Sequence, residues 1–233
     1  MDNLLINENK SCEREYNGQA YARYALRTPL ITKDDDIIDI ARTYAQPHLQ
    51  EGDVLFFSEK AVACTENRAI PLEEIHPSFL AKLLSRFVYK SPYGIGLSIP
   101  QTMEMALREC GRMRILWAAF CSAVGKLFGK RGVFYNIAGE KARAIDGPTS
   151  GTIPPLDRCV VLGPKDPMKT AKEISSAIGH EVLIIDANDL GINILGMSQA
   201  DGDIEMFKEL LRDNPLGQKA QSTPMGILRK IVQ

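Results

Sequence analysis

The spacing of apolar and polar residues along the chain predicts strands and helices that alternate. Compact apolar runs bounded by polar residues are typical of buried strands. They predict strands at 54–57, 114–119, 132–136, 159–162, 181–185, 192–195 and 224–231. Apolar residues at helical spacing predict helices at 33–46, 77–89, 100–110, 122–128, 166–178 and 203–212, with Thr32, Pro100 and Gly179 as end signals.

This interleaving favours an α/β fold with a mixed sheet. Residues 1–24 are polar and without a period, so we expect an N-terminal arm followed by a single domain at 25–233. A Gly/Pro/Ser-rich stretch at 91–96 is the best candidate for a soft boundary within that domain.

Composition narrows the class of protein without giving a function. The chain is 45% apolar and 24% charged, as is ordinary for a globular protein, and its net charge of −1 argues against a general nucleic-acid binder. The longest apolar run, 115–124, is about half of the ~20 residues that a membrane span needs. Five scattered cysteines and the lack of a secretion signal favour a cytoplasmic protein with reduced thiols and no membrane partner.

The strongest candidate for chemistry follows the predicted strand at 181–185. Asp186, Asn188 and Asp189 supply hard oxygen ligands where strands of an α/β sheet end, and Mg²⁺ or Mn²⁺ prefers such ligands. The alternative is an ordinary turn, because Asn, Asp and Gly are also the commonest turn residues.

Three further segments carry candidate binding residues. The loop 144–151 places Asp146 before glycines and hydroxyls, which suits either a metal and phosphate site or a rigid turn. Lys60, after the first compact strand, is a candidate phosphate ligand or a surface lysine. The polar stretch 214–224 is a binding lid or a plain loop. The three histidines have no metal-site spacing and no GxSxG occurs, so metal-free acid–base or serine chemistry has no support.

Taken in order, these segments resemble the coenzyme F-420 γ-glutamyl ligase family. The resemblance rests on Thr-Pro-Leu-Ile at 28–31, Gly-Asp-Val-Leu at 52–55 with Ser58 and Lys60, Ala-Ile-Asp-Gly at 144–147, Ile-Ile-Asp-Ala-Asn at 184–188 and the Gly-Gln…Pro loop at 217–224. The two aspartates, Asp146 and Asp186, lie 40 positions apart, close to the family's spacing.

The resemblance implies an enzyme that uses GTP and a divalent metal to join L-glutamate to an acidic acceptor through an acyl phosphate. It implies a homodimer, catalytic roles for Lys60, Asp146 and Asp186, and metal binding by Asp146, Asp186 and Gln218. The nucleotide contacts that it implies are Thr28, Pro29, Leu30, Ile31, Ser58, Lys60, Ser150, Gly217 and Gln218.

Departures from the family pattern leave the activity and the substrate open. Ala187 replaces a threonine that binds metal in the family, and Gln218 replaces a glutamate ligand. Cys64 stands where a second lysine is frequent. The expected function is therefore a nucleotide- and metal-dependent amide ligase. The alternatives are a non-catalytic protein that binds a nucleotide or a small anion, and a phosphohydrolase on the same metal site.

Overall fold

A computed structural model describes residues 4–88, 95–130, 132–149, 152–188, 191–217 and 221–231. The chain forms two compact units, the first built from residues 1–68 and 164–233 and the second from residues 69–163.

The described strands are β1 Leu4–Leu5, β2 Glu13–Tyr16, β3 Gln19–Leu26, β4 Val54–Ser58, β5 Ala69–Pro71, β6 Cys159–Val161, β7 Glu181–Asn188, β8 Gly191–Met197 and β9 Met225–Lys230. The described α-helices are α1 Ile37–Ile40, α2 Glu59–Thr65, α3 Phe79–Ser85, α4 Pro100–Cys110, α5 Arg112–Leu127, α6 Val133–Ala138, α7 Glu140–Arg143, α8 Pro167–Ile178 and α9 Ile204–Leu211. None of the helices in these ranges is long and apolar enough to cross a membrane.

The first unit is organised around a mixed sheet in the order β1-β3-β9-β4-β7-β8, with β2 also paired to β3. Strands β4 and β7 are parallel, and the other neighbours are antiparallel. The mixed α/β fold expected from the sequence is confirmed. Strand β9 is antiparallel to β4, and β8 is antiparallel to β7. The amino ends of β9 and β8 therefore lie at the same edge of the sheet as the carboxyl ends of β4 and β7.

Helices cover both faces of this sheet. Leu183 and Ile185 pack into an apolar cluster with Phe207 and Leu211 of α9 on one face. Alternate residues of a strand point to the other face. There the start of α8 comes so close that a Cβ on Gly196 would overlap the carbonyl oxygen of Pro167. Glycine at this position therefore allows β8 and α8 to pack backbone to backbone.

The second unit contains α3 to α7 and the small antiparallel sheet β5-β6. Its core is an apolar cluster in which Leu97, Met103, Ala106 and Ile115 are fully or almost fully buried. Helix α4 begins at Pro100, as the sequence predicts, because proline is suited to the first helical position.

Two predicted strands in the second unit are wrong. The segment 114–119 belongs to α5 and the segment 132–136 largely to α6, which begins after Gly132 in the left-handed conformation (φ 76°). The short helix expected at 122–128 is the second half of α5. A short apolar run does not by itself distinguish a strand from a buried helix.

The amino-terminal region also differs from the expectation. The sequence predicts an arm at 1–24, but residues 4–5, 13–16 and 19–24 of this segment form strands. Asn17 and Gly18 have positive φ angles of 50° and 79° and form the turn between β2 and β3. Helix α1 begins after Asp36, whose carboxylate accepts from the N–H groups of Ile38 and Asp39, and not after Thr32.

Candidate functional site

The carboxyl edge of the first unit's sheet collects most of the residues singled out from the sequence. In the parallel pair β4·β7, Ser58 lies opposite Ile185, so Asp186 is one residue further toward this edge. Ligands of α/β sheets bind outside the carboxyl ends of the strands. The register therefore brings Ser58 and Asp186 to the edge at which a ligand is expected.

Ser58 joins β4 to α2. Its hydroxyl oxygen accepts from the backbone N–H of Ala61 at 3.3 Å, so Ser58 is the N-cap of α2. Lys60 lies in the first turn of this helix and is half-buried. The side chain of Glu59, between them, is only 8% exposed. The sequence does not identify Glu59 as a site residue. Its position in the chain does not show whether its carboxylate is buried or lies at the exposed start of a helix.

The segment that follows β3 lies at the same edge. The backbone N–H of Thr28 donates to the carbonyl oxygen of Ser222 at 3.0 Å, and that of Ser58 donates to the carbonyl oxygen of Pro224 at 2.8 Å. Residues 222–224 are therefore hydrogen-bonded both to the segment after β3 and to the end of β4. Thr28 is buried and Pro29 is exposed. Leu30 is half-buried and Ile31 is buried, so the predicted contact segment 28–31 turns from the edge into the core.

Asp186 lies within β7, which continues three residues beyond the predicted end of the strand. It pairs with Asn193 of β8, and its side chain is half-buried. Ile185 and Ala187 pack against the apolar cluster that contains α9. Because side chains alternate along a strand, the carboxylate of Asp186 lies on the opposite face. The alanine in place of the family's threonine thus belongs to the apolar side of β7.

A buried asparagine ties the loop after α9 to the end of β7. The Nδ2 group of Asn214 donates to the carbonyl oxygen of Ala187 at 3.2 Å and to that of Gly217 at 2.9 Å. Thr223 Oγ1 donates to the carbonyl oxygen of Leu216 at 2.7 Å. The predicted binding residue Gly217 is therefore held beside the strand that carries Asp186. The spacing of the sequence gave no signal for Asn214.

Asp213, the residue before Asn214, is held by an ion pair. The guanidinium of Arg23, almost fully buried, pairs with the carboxylate of Asp213 and donates to the carbonyl oxygen of Leu210 at 2.8 Å. Burial alone raises the pKa of Asp213, but hydrogen bonding to Arg23 and its positive charge outweigh burial and lower that pKa. The start of the 214–217 segment is thus anchored electrostatically to β3.

Asp146 belongs to the second unit. Its backbone forms a bridge with Val161, with N–H to oxygen distances of 2.8 and 2.9 Å. A Cβ on the next residue, Gly147, would lie 3.0 Å from Ile95 and 3.3 Å from Thr102. A side chain at position 147 would therefore require Ile95 or Thr102 to move by a few tenths of an ångström.

The remaining predicted ligands lie outside the described residues. These are Ser150, Gln218, Asp189 and the side chain of Asn188. In the described ranges no cluster of three His, Cys, Asp or Glu side chains has the arrangement of a metal site. The carboxylates of Asp146 and Asp186 are half-buried oxygen donors, so their chemistry fits a hard divalent cation.

A family model described as F420-0:Gamma-glutamyl ligase matches residues 25–192, well over half of the chain. The match includes Thr28, Ser58, Lys60, Asp146 and Asp186. No curated protein shows significant similarity to the chain.

Proposed function

Because the chain belongs to the F420-0:gamma-glutamyl ligase family, we propose that it joins an amino acid such as L-glutamate to a small acidic acceptor, with a nucleoside triphosphate as cosubstrate. Membership of this family supports a ligase. The nucleotide, the metal and the acyl-phosphate route are our inference. The observation that carries it is the convergence of Thr28, Ser58, Lys60, Asp186 and Gly217 at one edge of the sheet.

The proposed reaction has two steps. An oxygen of the acceptor carboxylate attacks the γ-phosphorus of GTP or ATP, and the bond to the β-phosphate oxygen breaks to release the nucleoside diphosphate. The amino nitrogen of the amino acid then attacks the acyl carbon. The C–N bond forms, the C–O bond to phosphate breaks, and the amine loses a proton while inorganic phosphate leaves.

The residues at the edge have distinct roles in this proposal. Lys60 places a positive charge on a helix that starts at the carboxyl end of β4, where it holds the phosphates. Residues 28–31 and 217 bind the rest of the nucleotide. Asp146 and Asp186 are the residues that would hold Mg²⁺ or Mn²⁺, and a bound cation would neutralise the charge on the transferred phosphoryl group.

The test is the release of nucleoside diphosphate by the full-length chain with Mn²⁺, GTP or ATP, L-glutamate and a panel of small carboxylic acids. The proposal predicts release that requires both an acid and the amine. Release that needs neither would indicate a phosphohydrolase and would contradict the ligase. The resemblance to the family also leads us to propose a homodimer, which sedimentation velocity tests directly.

One observation favours a second function, a non-catalytic nucleotide-binding protein. The side chain of Ala187 has no oxygen that could bind a metal, and it packs toward the apolar cluster of α9. This alternative predicts metal-dependent nucleotide binding without product under every combination of acid and amine. Quenched-flow measurement of a single turnover distinguishes it from a slow ligase, because a ligase forms product in the first turnover.

A further inference from the structure

The second unit exposes an unusually apolar surface. In the described residues, thirteen large hydrophobic side chains are exposed, and ten of them lie between residues 79 and 128. All five exposed aromatic side chains are among these ten. We call the exposed apolar side chains of residues 79–87 and 113–128 the outer face.

Helix α5 supplies most of the outer face. Its inward residues Ile115 and Ala118 are fully buried against the core of the unit. Its outward residues are apolar as well. At about 100° per residue they span an arc of about 100°, and they are Met113, Leu116, Trp117, Phe120, Val124 and Leu127. Trp117 and Phe120 stack with their ring centroids 5.6 Å apart. The helix is therefore apolar on the side where a surface helix is normally polar.

Helix α3 and the residues after it also expose apolar side chains. Phe79, Leu83 and Phe87 follow one another at intervals of four residues, and Phe79 and Phe87 are 81% and 69% exposed. The Nζ group of Lys126 in α5 donates to the carbonyl oxygen of Phe87 at 3.4 Å. This hydrogen bond brings the end of α3 within reach of the long side chain of Lys126 in the last turn of α5.

The exposed apolar area of the outer face is comparable to the largest apolar patch of a typical monomer. A Phe or Trp side chain has about 150–250 Å² of surface. Five such side chains, each more than half exposed, leave on the order of 500 Å² uncovered before the Met and Leu side chains are added. The largest apolar patch on a typical monomer is about 300–600 Å², and patches of that size are frequently functional.

The charges around the outer face are strongly basic. Residues 79–87 and 112–128 contain five Lys or Arg and no Asp or Glu, a formal charge of +5 in a chain whose net charge is −1. Arg112 and Arg114 are exposed and lie on either side of the apolar arc of α5. The surface thus combines aromatic side chains with excess positive charge.

We propose that the outer face docks on the surface of an anionic phospholipid membrane. Basic amphipathic helices with Trp, Phe and Leu on the apolar side bind the headgroup region of such membranes. A second copy of the chain fits less well, because pairing two outer faces would bring basic residues of α3 and α5 against one another. Docking needs one apolar face and no membrane-spanning run. The proposal therefore departs from the sequence-based expectation of no membrane partner, and it does not depend on the ligase activity.

Trp117, the chain's single tryptophan, reports on this surface directly. The full-length chain is mixed with vesicles of phosphatidylcholine alone or of phosphatidylcholine with phosphatidylglycerol. Flotation and Trp117 emission are then measured. We expect flotation and a blue shift with the anionic vesicles, both weakened by high salt because salt screens the attraction. Absence of flotation with anionic vesicles overturns the proposal.

Matched variants separate docking from unspecific adsorption. Phe120→Glu lowers binding about tenfold or more, since it replaces an exposed aromatic side chain that docking would bury in the membrane. Lys82→Gln, which removes one positive charge, lowers it by about fivefold. Ile6→Glu and Met168→Glu, exposed apolar positions of the first unit, leave it unchanged. Equal binding by all four variants contradicts the proposal. So does a dimer in lipid-free buffer that Phe120→Glu dissociates while anionic vesicles stay unbound, because that result assigns the outer face to a second copy.

Discussion

The side-chain amide of Asn214 donates to the carbonyl oxygen of Ala187 at 3.2 Å, and this contact joins the loop after α9 to the strand that carries Asp186. The same amide group donates to the carbonyl oxygen of Gly217 at 2.9 Å. One buried side chain therefore positions both a predicted nucleotide contact and the end of the strand with the predicted metal ligand.

Replacing this amide should loosen the loop without unfolding the protein. Asn214 has a positive φ of 51°, so Asn214→Gly removes the amide and keeps a residue that adopts this backbone conformation. We expect a loss of about 1–2 kcal/mol in the free energy of unfolding. We also expect faster hydrogen exchange at residues 214–217 than in the parent. Unchanged exchange there would show that Asn214 does not hold the loop.

The ion pair of Arg23 and Asp213 makes stability depend on pH. The pKa of Asp213 is lowered in the folded state, so its contribution is present above the ordinary carboxyl pKa and is lost as pH falls through the folded pKa. We expect Asp213→Asn to cost about 2–3 kcal/mol at pH 7, because Arg23 stays buried without a charged partner. Urea unfolding against pH measures this. The difference between parent and variant should shrink in acid, and a constant difference would contradict the assignment.

Glu181, at the opposite end of β7, should behave in the opposite way. Burial chiefly, and the charge of Asp201 in addition, raise the pKa of Glu181. Its ionisation therefore opposes folding, and stability is lost as pH rises from the unfolded pKa toward the folded one. Glu181→Gln is expected to raise the free energy of unfolding at pH 7 and to change it little below about pH 4. A variant less stable than the parent at pH 7 would indicate a favourable partner for the carboxylate.

Much of the first unit follows from local sequence signals, and the failures have physical causes. Asp166, Pro167 and Gly179 mark the ends of α8 as predicted, because capping depends on neighbouring residues alone. The Asn17-Gly18 turn signals a β-hairpin, yet the charged residues of β2 suggested an arm. The first half of α5, residues 114–119, has the pattern of a strand because it is apolar on both its buried and its exposed sides, so no helical period stands out.

The candidate site was predicted in part. Polar residues after a compact apolar run mark the carboxyl end of a strand, and this pattern predicts site residues at Asp186, Ser58 and Lys60. The extension of β7 beyond residue 185 could not be predicted, since it depends on pairing with β8, as in the pair of Asp186 and Asn193. Asn214 could not be found from spacing, because its role arises from contacts with residue 187, distant in the sequence.

Lys60 gives a direct test of the nucleotide contact. If its charge holds the phosphates, Lys60→Met should weaken binding of GTP or ATP by about tenfold, as expected for the loss of a charged hydrogen bond. Lys172→Met, on the exposed side of α8, is the matched control and should bind as the parent does. Fluorescence anisotropy of a labelled nucleotide measures both, and equal affinities would remove Lys60 from the site.

Calorimetric titration of GTP and ATP with Mn²⁺ tests the central claim, the nucleotide and metal site at the carboxyl edge of the sheet. The parent is compared with Asp186→Ala and with Asp201→Ala, an exposed aspartate near the opposite end of β7. We predict metal-dependent binding by the parent and by Asp201→Ala, with none by Asp186→Ala. Binding by Asp186→Ala that equals the parent's, or no binding by the parent with metal present, would contradict the account.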